Sequence, residues 1–376
     1  KGYSVFKERF SRLAHFVEGR ARVEPLMAAD LTVVIHDMAK KHPAKKEKIK
    51  NMLAGLVKDS QDAIARSVSA KVLRWMDVGG GVFVAPEAVP LFKGGGMADV
   101  IGELPAVLLE SGLKMYIILP LYQNYDKSKV EYTGKVVNVY MGRHGTVPAS
   151  IAKRRINNIE YILLDNPYYA DALYGRASAE HRELRSVFLS LGALEAMKTL
   201  HIYPSIIAGH DWMCAPLMAH LNSKHSLYRN DPHFSKTATI GWVHNNGFEY
   251  QFKPARFQGG VDLLGNLGLP PEDYGWFIDP HQGDLVNFMS ALVRHSQKCV
   301  SVSAGQLKDY LSTNAKGGAE GFLHIFKDLA KERRILALGH GIFLKEIQRK
   351  WFNKVSMFDV HTEEELKEFE EEMGIE

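Results

Sequence analysis

From residue 81 onward the chain alternates two hydrophobic rhythms. Short apolar runs rich in β-branched and aromatic residues occur at Val82–Ala85, Met115–Pro120, Val136–Tyr140, Tyr161–Leu164, Ser205–His210, Thr237–His244 and Cys299–Ser303. Between several of them lie longer stretches with helical spacing, notably Val100–Glu110, His181–Leu200, Cys214–Leu221 and Leu285–His295. Buried parallel strands read as near-continuous apolar runs, so this alternation predicts an α/β, Rossmann-like fold with a mainly parallel sheet covered on both faces. Ligands in such folds bind beyond the carboxyl ends of the strands.

Residues 1–77 carry a different pattern and read as a helical N-terminal extension. Ile49, Met52, Leu53, Leu56 and Val57 fall on one helix face, and Pro43 sits where a first-turn proline is tolerated. A helix running unbroken from there to Trp75 would be long for a globular protein, so a break near Asp59–Ser60 is expected. The stretch Asn222–Lys236 reads as a surface loop. The organisation expected is an extension over 1–77, a Rossmann-like domain over 78–345 and a helical tail over 346–376, with Thr362-Glu-Glu-Glu365 as a capping box.

The 376 residues are 46% hydrophobic and 24% charged, ordinary for a globular chain, and no run approaches the roughly 18 apolar residues of a membrane helix. Two cysteines, Cys214 and Cys299, exclude a disulfide framework and lack zinc-site spacing, which suits an intracellular, reducing compartment. A formal charge of +4 is too mild to argue for nucleic acid. Its distribution says more: Lys40, Lys41, Lys45, Lys46, Lys48 and Lys50 crowd one segment, and Glu363–Glu376 is acidic. These read as solvated helix faces or as docking surfaces for protein partners. The sequence starts at Lys1 rather than methionine, so removal of a leading segment is expected, and an organelle such as a mitochondrion or plastid fits that pattern.

Candidate chemistry gathers at predicted strand ends. Lys93-Gly-Gly-Gly-Met-Ala-Asp-Val100 follows one strand and opens a helix, the geometry that offers backbone N–H groups, a helix dipole and a lysine to phosphate. His210-Asp211-Trp212 ends another strand; a histidine there can bond a sugar hydroxyl and a tryptophan can stack on a sugar ring. The same residues equally fit an aspartate capping the next helix with His210 as its polar neighbour. His244-Asn245 ends a third strand. No nucleophile-elbow, His-Glu-x-x-His or paired-cysteine motif is present, so no metal or cofactor is expected.

In this order the elements resemble the N-terminal, acceptor-side domain of bacterial glycogen synthases and plant starch synthases. Ala85-Pro-Glu-Ala-Val-Pro-Leu-Phe-Lys-Gly-Gly-Gly-Met-Ala-Asp-Val-Ile-Gly-Glu-Leu-Pro105 is similar to that family's opening signature. Leu119-Pro-Leu-Tyr122, Tyr174-Gly175 with Arg185 and Phe188, Ile207-Ala-Gly-His-Asp-Trp212, Val243-His-Asn245 and Val300-Ser-Val-Ser303 continue the match, which covers residues 81 to 345. The resemblance implies one half of a two-domain B-type glycosyltransferase, adding glucose from a sugar nucleotide to an α-1,4-glucan with retention. It places Lys93, Gly95 and Gly96 at the donor phosphate. His210, Asp211, Trp212, His244 and Asn245 would line the sugar pocket, with His210 and Asn245 as the family-equivalent active-site positions.

The departures carry their own expectations. Gly94 stands where the family has threonine, Met97 where it has leucine, and Gly339-His-Gly-Ile342 near its interdomain Asn-Gly-Ile-Asp, while Gly317-Gly-Ala-Glu-Gly321 still aligns. Nothing between Phe343 and Glu376 resembles the family's second domain, and Lys345 with Arg349 reads as helix surface. A chain holding one wall of the cleft is expected to be catalytically degenerate, persisting as a scaffold or interaction subunit. The alternative is an active ADP- or UDP-glucose synthase whose donor-binding domain lies elsewhere.

Overall fold

The computed structural model describes residues 7, 11, 15, 43–77, 80–110, 114–174, 178–234, 237–247, 250–312 and 321–337. The chain divides into two units, Lys1–Gly339 and His340–Glu376. The tail expected at 346–376, the capping box at Thr362, the acidic segment and Gly339–Ile342 lie outside the described residues, as do Lys40, Lys41 and Gly175.

Two helices precede the sheet, α1 (Pro43–Asp59) and α2 (Ala63–Asp77). The break between them falls where the pattern placed it, and its cause is Asp62. The Asp62 carboxylate accepts the backbone N–H groups of Ile64 and Ala65, starting α2 afresh. Leu53 and Leu56 of α1 and Ala65 and Val68 of α2 are buried.

The strands in chain order are β1 (Gly81–Val84), β2 (Met115–Pro120), β3 (Glu131–Tyr140), β4 (Thr146–Ile156), β5 (Ile159–Asp165), β6 (Ile206–His210), β7 (Ala238–Val243), β8 (Phe257–Gln258), β9 (Val261–Asp262), β10 (Lys298–Ser301) and β11 (Ile335–Ala337). The helices of eight residues or more among and after them are α3 (Gly96–Glu110), α4 (Ala179–Thr199), α5 (Ala215–Asn222), α6 (Phe288–His295), α7 (Ala304–Leu311) and α8 (Leu323–Lys331). Nine strands form one sheet in the order β11-β10-β7-β6-β1-β2-β5-β4-β3, while β8 and β9 make a small hairpin. Pairing is parallel from β11 to β5; β4 runs antiparallel to both β5 and β3.

The central strands are buried throughout, as their apolar runs require. Val82, Val84, Tyr116, Ile118, Ile162 and Leu164 share one core with α4 residues such as Leu184, Val187, Phe188 and Leu191. The alternate residues Phe83, Ile117, Leu119, Tyr161 and Leu163 are also buried and face the other side of the sheet. The β4 strand was not legible in the pattern, because Pro148 and Lys153-Arg154-Arg155 interrupt its apolar positions. It lies one strand from the sheet edge, where only half of its side chains need burial. α7, α8 and β11 were likewise unpredicted. Among the described residues no helix is long and apolar enough to cross a membrane.

Two buried histidines make the fold sensitive to acid. His220 of α5 bonds the Leu267 carbonyl, and His295 of α6 packs its ring against Trp276. Burial pushes each down to about 4, so both are neutral in the folded chain. Unfolding therefore takes up protons as pH falls below the ordinary histidine value of about 6.5. The stability that their neutrality contributes is full above that value and is lost toward pH 4. His295→Phe should gain stability relative to the wild type between pH 7 and 4.5, read by urea unfolding. A difference that stays constant across that range counts against the assignment.

Candidate functional site

The sheet order brings the three sequence-marked elements onto neighbouring strands. β1 pairs with β2 on one side and β6 on the other, so the chain order reverses at β1 and opens a crevice above the carboxyl ends of β1 and β6. The glycine loop follows β1, His210 is the last residue of β6, and His244 follows β7 directly.

The glycine loop is organised by a residue that the pattern did not single out. Glu87, almost wholly buried, turns its carboxylate onto the loop: Oε2 accepts from Gly94 N and, at 3.1 Å, from Gly95 N, and Oε1 accepts the Tyr174 hydroxyl at 3.0 Å. Burial raises the Glu87 pKa, and these donors offset part of the rise. Lys93 is more than half exposed and its Nζ lies 2.6 Å from Asp99 Oδ1 in the first turn of α3. Gly96 opens α3, and a Cβ built on it meets nothing within 4 Å. Of the residues expected at a phosphate, Gly95 thus serves Glu87, Lys93 pairs with Asp99, and Gly96 faces open space. A carboxylate seven residues ahead of a run of free glycine amides is the signal that could have revealed Glu87.

Gly94 also explains its own departure from threonine. A Cβ there falls 2.7 Å from Tyr174 Cε2, inside the closest approach that packed atoms tolerate, and 3.1 Å from Glu87 Oε2, a tight contact. Gly94→Thr should destabilise the chain by about 1–3 kcal/mol, the usual range for an overpacked site. Most of that loss should vanish in a Tyr174→Ala background, because Tyr174 is half exposed and its ring is the obstacle. Additive effects in denaturant titrations of the four proteins would contradict this account.

At the ends of β6 and β7 four residues form one hydrogen-bonded group. His210 is fully buried, its ring between Phe83 at 4.8 Å and Trp242 at 5.4 Å. Its Nδ1 lies 3.0 Å from His244 Nε2, one ring donating to the other, while its Nε2 has no hydrogen-bond partner among the described residues. Burial, then the neighbouring His244, holds the His210 pKa well below the ordinary histidine range, so the ring is neutral.

Asp211 has φ +57° and ψ −176°, a backbone region that residues with a side chain rarely adopt. Its carboxylate accepts the backbone N–H of His244 at 2.8 Å and that of Asn245. It caps no helix: the turn after it receives no side-chain bond from Asp211. Burial pushes the Asp211 carboxyl up to about 7, with Glu87 adding a like charge. Asn245 is exposed and its Oδ1 accepts from Gly247 N, closing the turn. Trp212 goes elsewhere; its indole stacks on Phe252 at 4.3 Å, with the Arg182 guanidinium 5.3 Å from the ring. The structure therefore gathers His210, Asp211, His244 and Asn245 and uses the Trp212 ring in packing.

Residues 82–325 match the family model described as the starch synthase catalytic domain. The chain belongs to the starch synthase catalytic domain family. It is 30% identical over 254 residues to a glycogen synthase of Geotalea daltonii, covering 66% of this chain and 50% of that protein. A glycogen synthase of Pseudothermotoga lettingae is 33% identical over 207 residues, covering 51% of this chain and 40% of its own length. The catalytic domain of starch synthase IV from Arabidopsis thaliana, solved bound to ADP and acarbose, superposes with a TM-score of 0.59 at 23% identity, covering 72% of this chain and 53% of that one. The chain spans about half the length of the curated relatives it matches. The α/β architecture and the glycosyltransferase family assignment both stand on these matches.

Proposed function

We propose that this domain is the acceptor-side half of an α-1,4-glucan synthase that holds sugar but does not transfer it unaided, and that it serves as a scaffold or binding subunit of a larger assembly. The reading is carried by the charge of the glycine loop. Two of its amides serve the Glu87 carboxylate, its lysine serves Asp99, and Asp211 adds a further carboxyl to the same crevice. Departure of a nucleoside diphosphate needs preorganised cations and donors aimed at the developing charge. Donors already engaged by carboxylates supply little of that. Neutral sugar hydroxyls, by contrast, suit carboxyl groups, a neutral imidazole and a backbone-held turn.

In this reading the lysine-rich N-terminal helices and the acidic C-terminal segment are docking elements, and an organelle is the setting. The test is direct. Purified chain incubated with ADP-glucose or UDP-glucose and glycogen should transfer no glucose, while native pull-down followed by sizing should place it in a large assembly. Glucosyl transfer by the chain alone would overturn the proposal.

A second reading is favoured by one observation, the intact group of His210, Asp211, His244 and Asn245. It holds that the domain works in an active synthase whose donor half lies on another chain or elsewhere in a longer protein. Transfer that appears only when a separately produced donor-binding half is added would establish it.

A further inference from the structure

The turn that carries His244 and Asn245 is held from two sides, and one of the holding residues stands outside every motif in the site. Gln306, in the first turn of α7, donates through Nε2 to the His244 carbonyl at 2.9 Å. Its Oε1 accepts from Val302 N at 3.1 Å and from Ser301 Oγ at 2.8 Å, at the end of β10. Its own backbone N–H donates to Ser303 Oγ, the cap of α7. On the opposite side, Asp211 at the end of β6 accepts the His244 N–H. One residue is thus held through its N–H from β6 and through its carbonyl from α7, while its ring bonds His210. With both neighbouring peptide planes fixed, the direction of the His244 Cα–Cβ bond is set, and the bond to His210 then fixes the ring that this vector aims.

We propose that Gln306 is a positioning residue for this turn: by holding the His244 carbonyl it sets the orientation of the His244 ring toward His210 and of Asn245 toward the crevice. The inference rests on the reading of His244 and Asn245 as sugar-facing. A competing role for Gln306 is purely local, the knot that joins β10 to α7. Glutamate separates the two. Gln306→Glu keeps the length of the side chain and an acceptor for Val302 and Ser301, loses the donor to His244, and sets a carboxylate against that carbonyl.

The experiment uses the full chain with 15N-labelled histidine, comparing wild type, Gln306→Glu and Gln306→Ala by NMR, thermal midpoint and calorimetric titration with maltotriose. In the wild type the ring N–H shared by His210 and His244 should exchange slowly. Gln306→Glu should lose or shift that resonance while its midpoint stays near the wild-type value. Its maltotriose affinity should fall about 5-fold, the effect of one neutral hydrogen bond. Gln306→Ala should show the same ring effect together with a lower midpoint. A Gln306→Glu protein with the wild-type resonance and affinity overturns the proposal. If the wild type gives no heat with maltotriose, the sugar reading fails, and the ring resonance alone decides whether Gln306 holds the turn.

Discussion

Glu87→Ala should destabilise the chain by about 2–4 kcal/mol, because two backbone N–H groups and a tyrosine hydroxyl lose a charged acceptor at once. Glu87→Gln should lose less, since its carbonyl oxygen still accepts. The same pair of variants tests the loop's chemistry. Removing the carboxylate charge beside Gly94 and Gly95 should tighten inorganic pyrophosphate binding at pH 8, by about tenfold for each 1.4 kcal/mol of repulsion relieved. Weaker pyrophosphate binding by Glu87→Gln would mean that Glu87 shapes the loop for phosphate rather than competing with it. Either sign is informative, because the two roles share every contact and differ only in charge.

Asp211→Asn should reshape the pH dependence of stability. A carboxyl that titrates near 7 in the folded chain and near 3.9 when unfolded favours the folded state most at low pH. Its contribution is lost as pH rises from about 4 through 7, by at most about 4 kcal/mol at 1.36 kcal/mol per pKa unit. Asparagine resembles the protonated acid and does not titrate. The variant should therefore match the wild type near pH 4 and exceed it increasingly above that, so that its advantage is larger at pH 8 than at pH 5, measured by urea unfolding at both. A wild type as stable at pH 8 relative to the variant as at pH 5 would show that the carboxyl is solvated.

The strands that place the site were legible because burial on both faces leaves an unbroken apolar run, as in Gly81–Val84, Met115–Pro120 and Ile206–His210. β4 hid behind Pro148 and its charges, since near an edge the pattern relaxes. His210 and His244 were readable as candidates from their position at strand ends. Their pairing was not, because it depends on the register that sets His210 beside Trp242 across β6 and β7. Gln306 escaped for a similar reason: it acts through a bond to a backbone carbonyl 62 residues away, which no side-chain spacing encodes, whereas Glu87 left only its short spacing ahead of the glycines as a signal. Trp212 shows the converse, a residue whose chemistry suggests a sugar platform but whose ring is consumed by Phe252 and Arg182.

The central position of β1 has a consequence for synthesis. Its first partner, β2, follows within about 30 residues, but its second, β6, arrives only with Ile206–Gly209. A ribosome-bound chain therefore carries a bare, wholly apolar strand edge until Ile206–Gly209 have emerged, which exposes it to misassociation with other chains. Truncations ending between α4 and β6 should accumulate as aggregates or in complex with chaperones. Those extending past β11, which restore the β7 partner β10 and the rest of the core, should be recovered as folded protein.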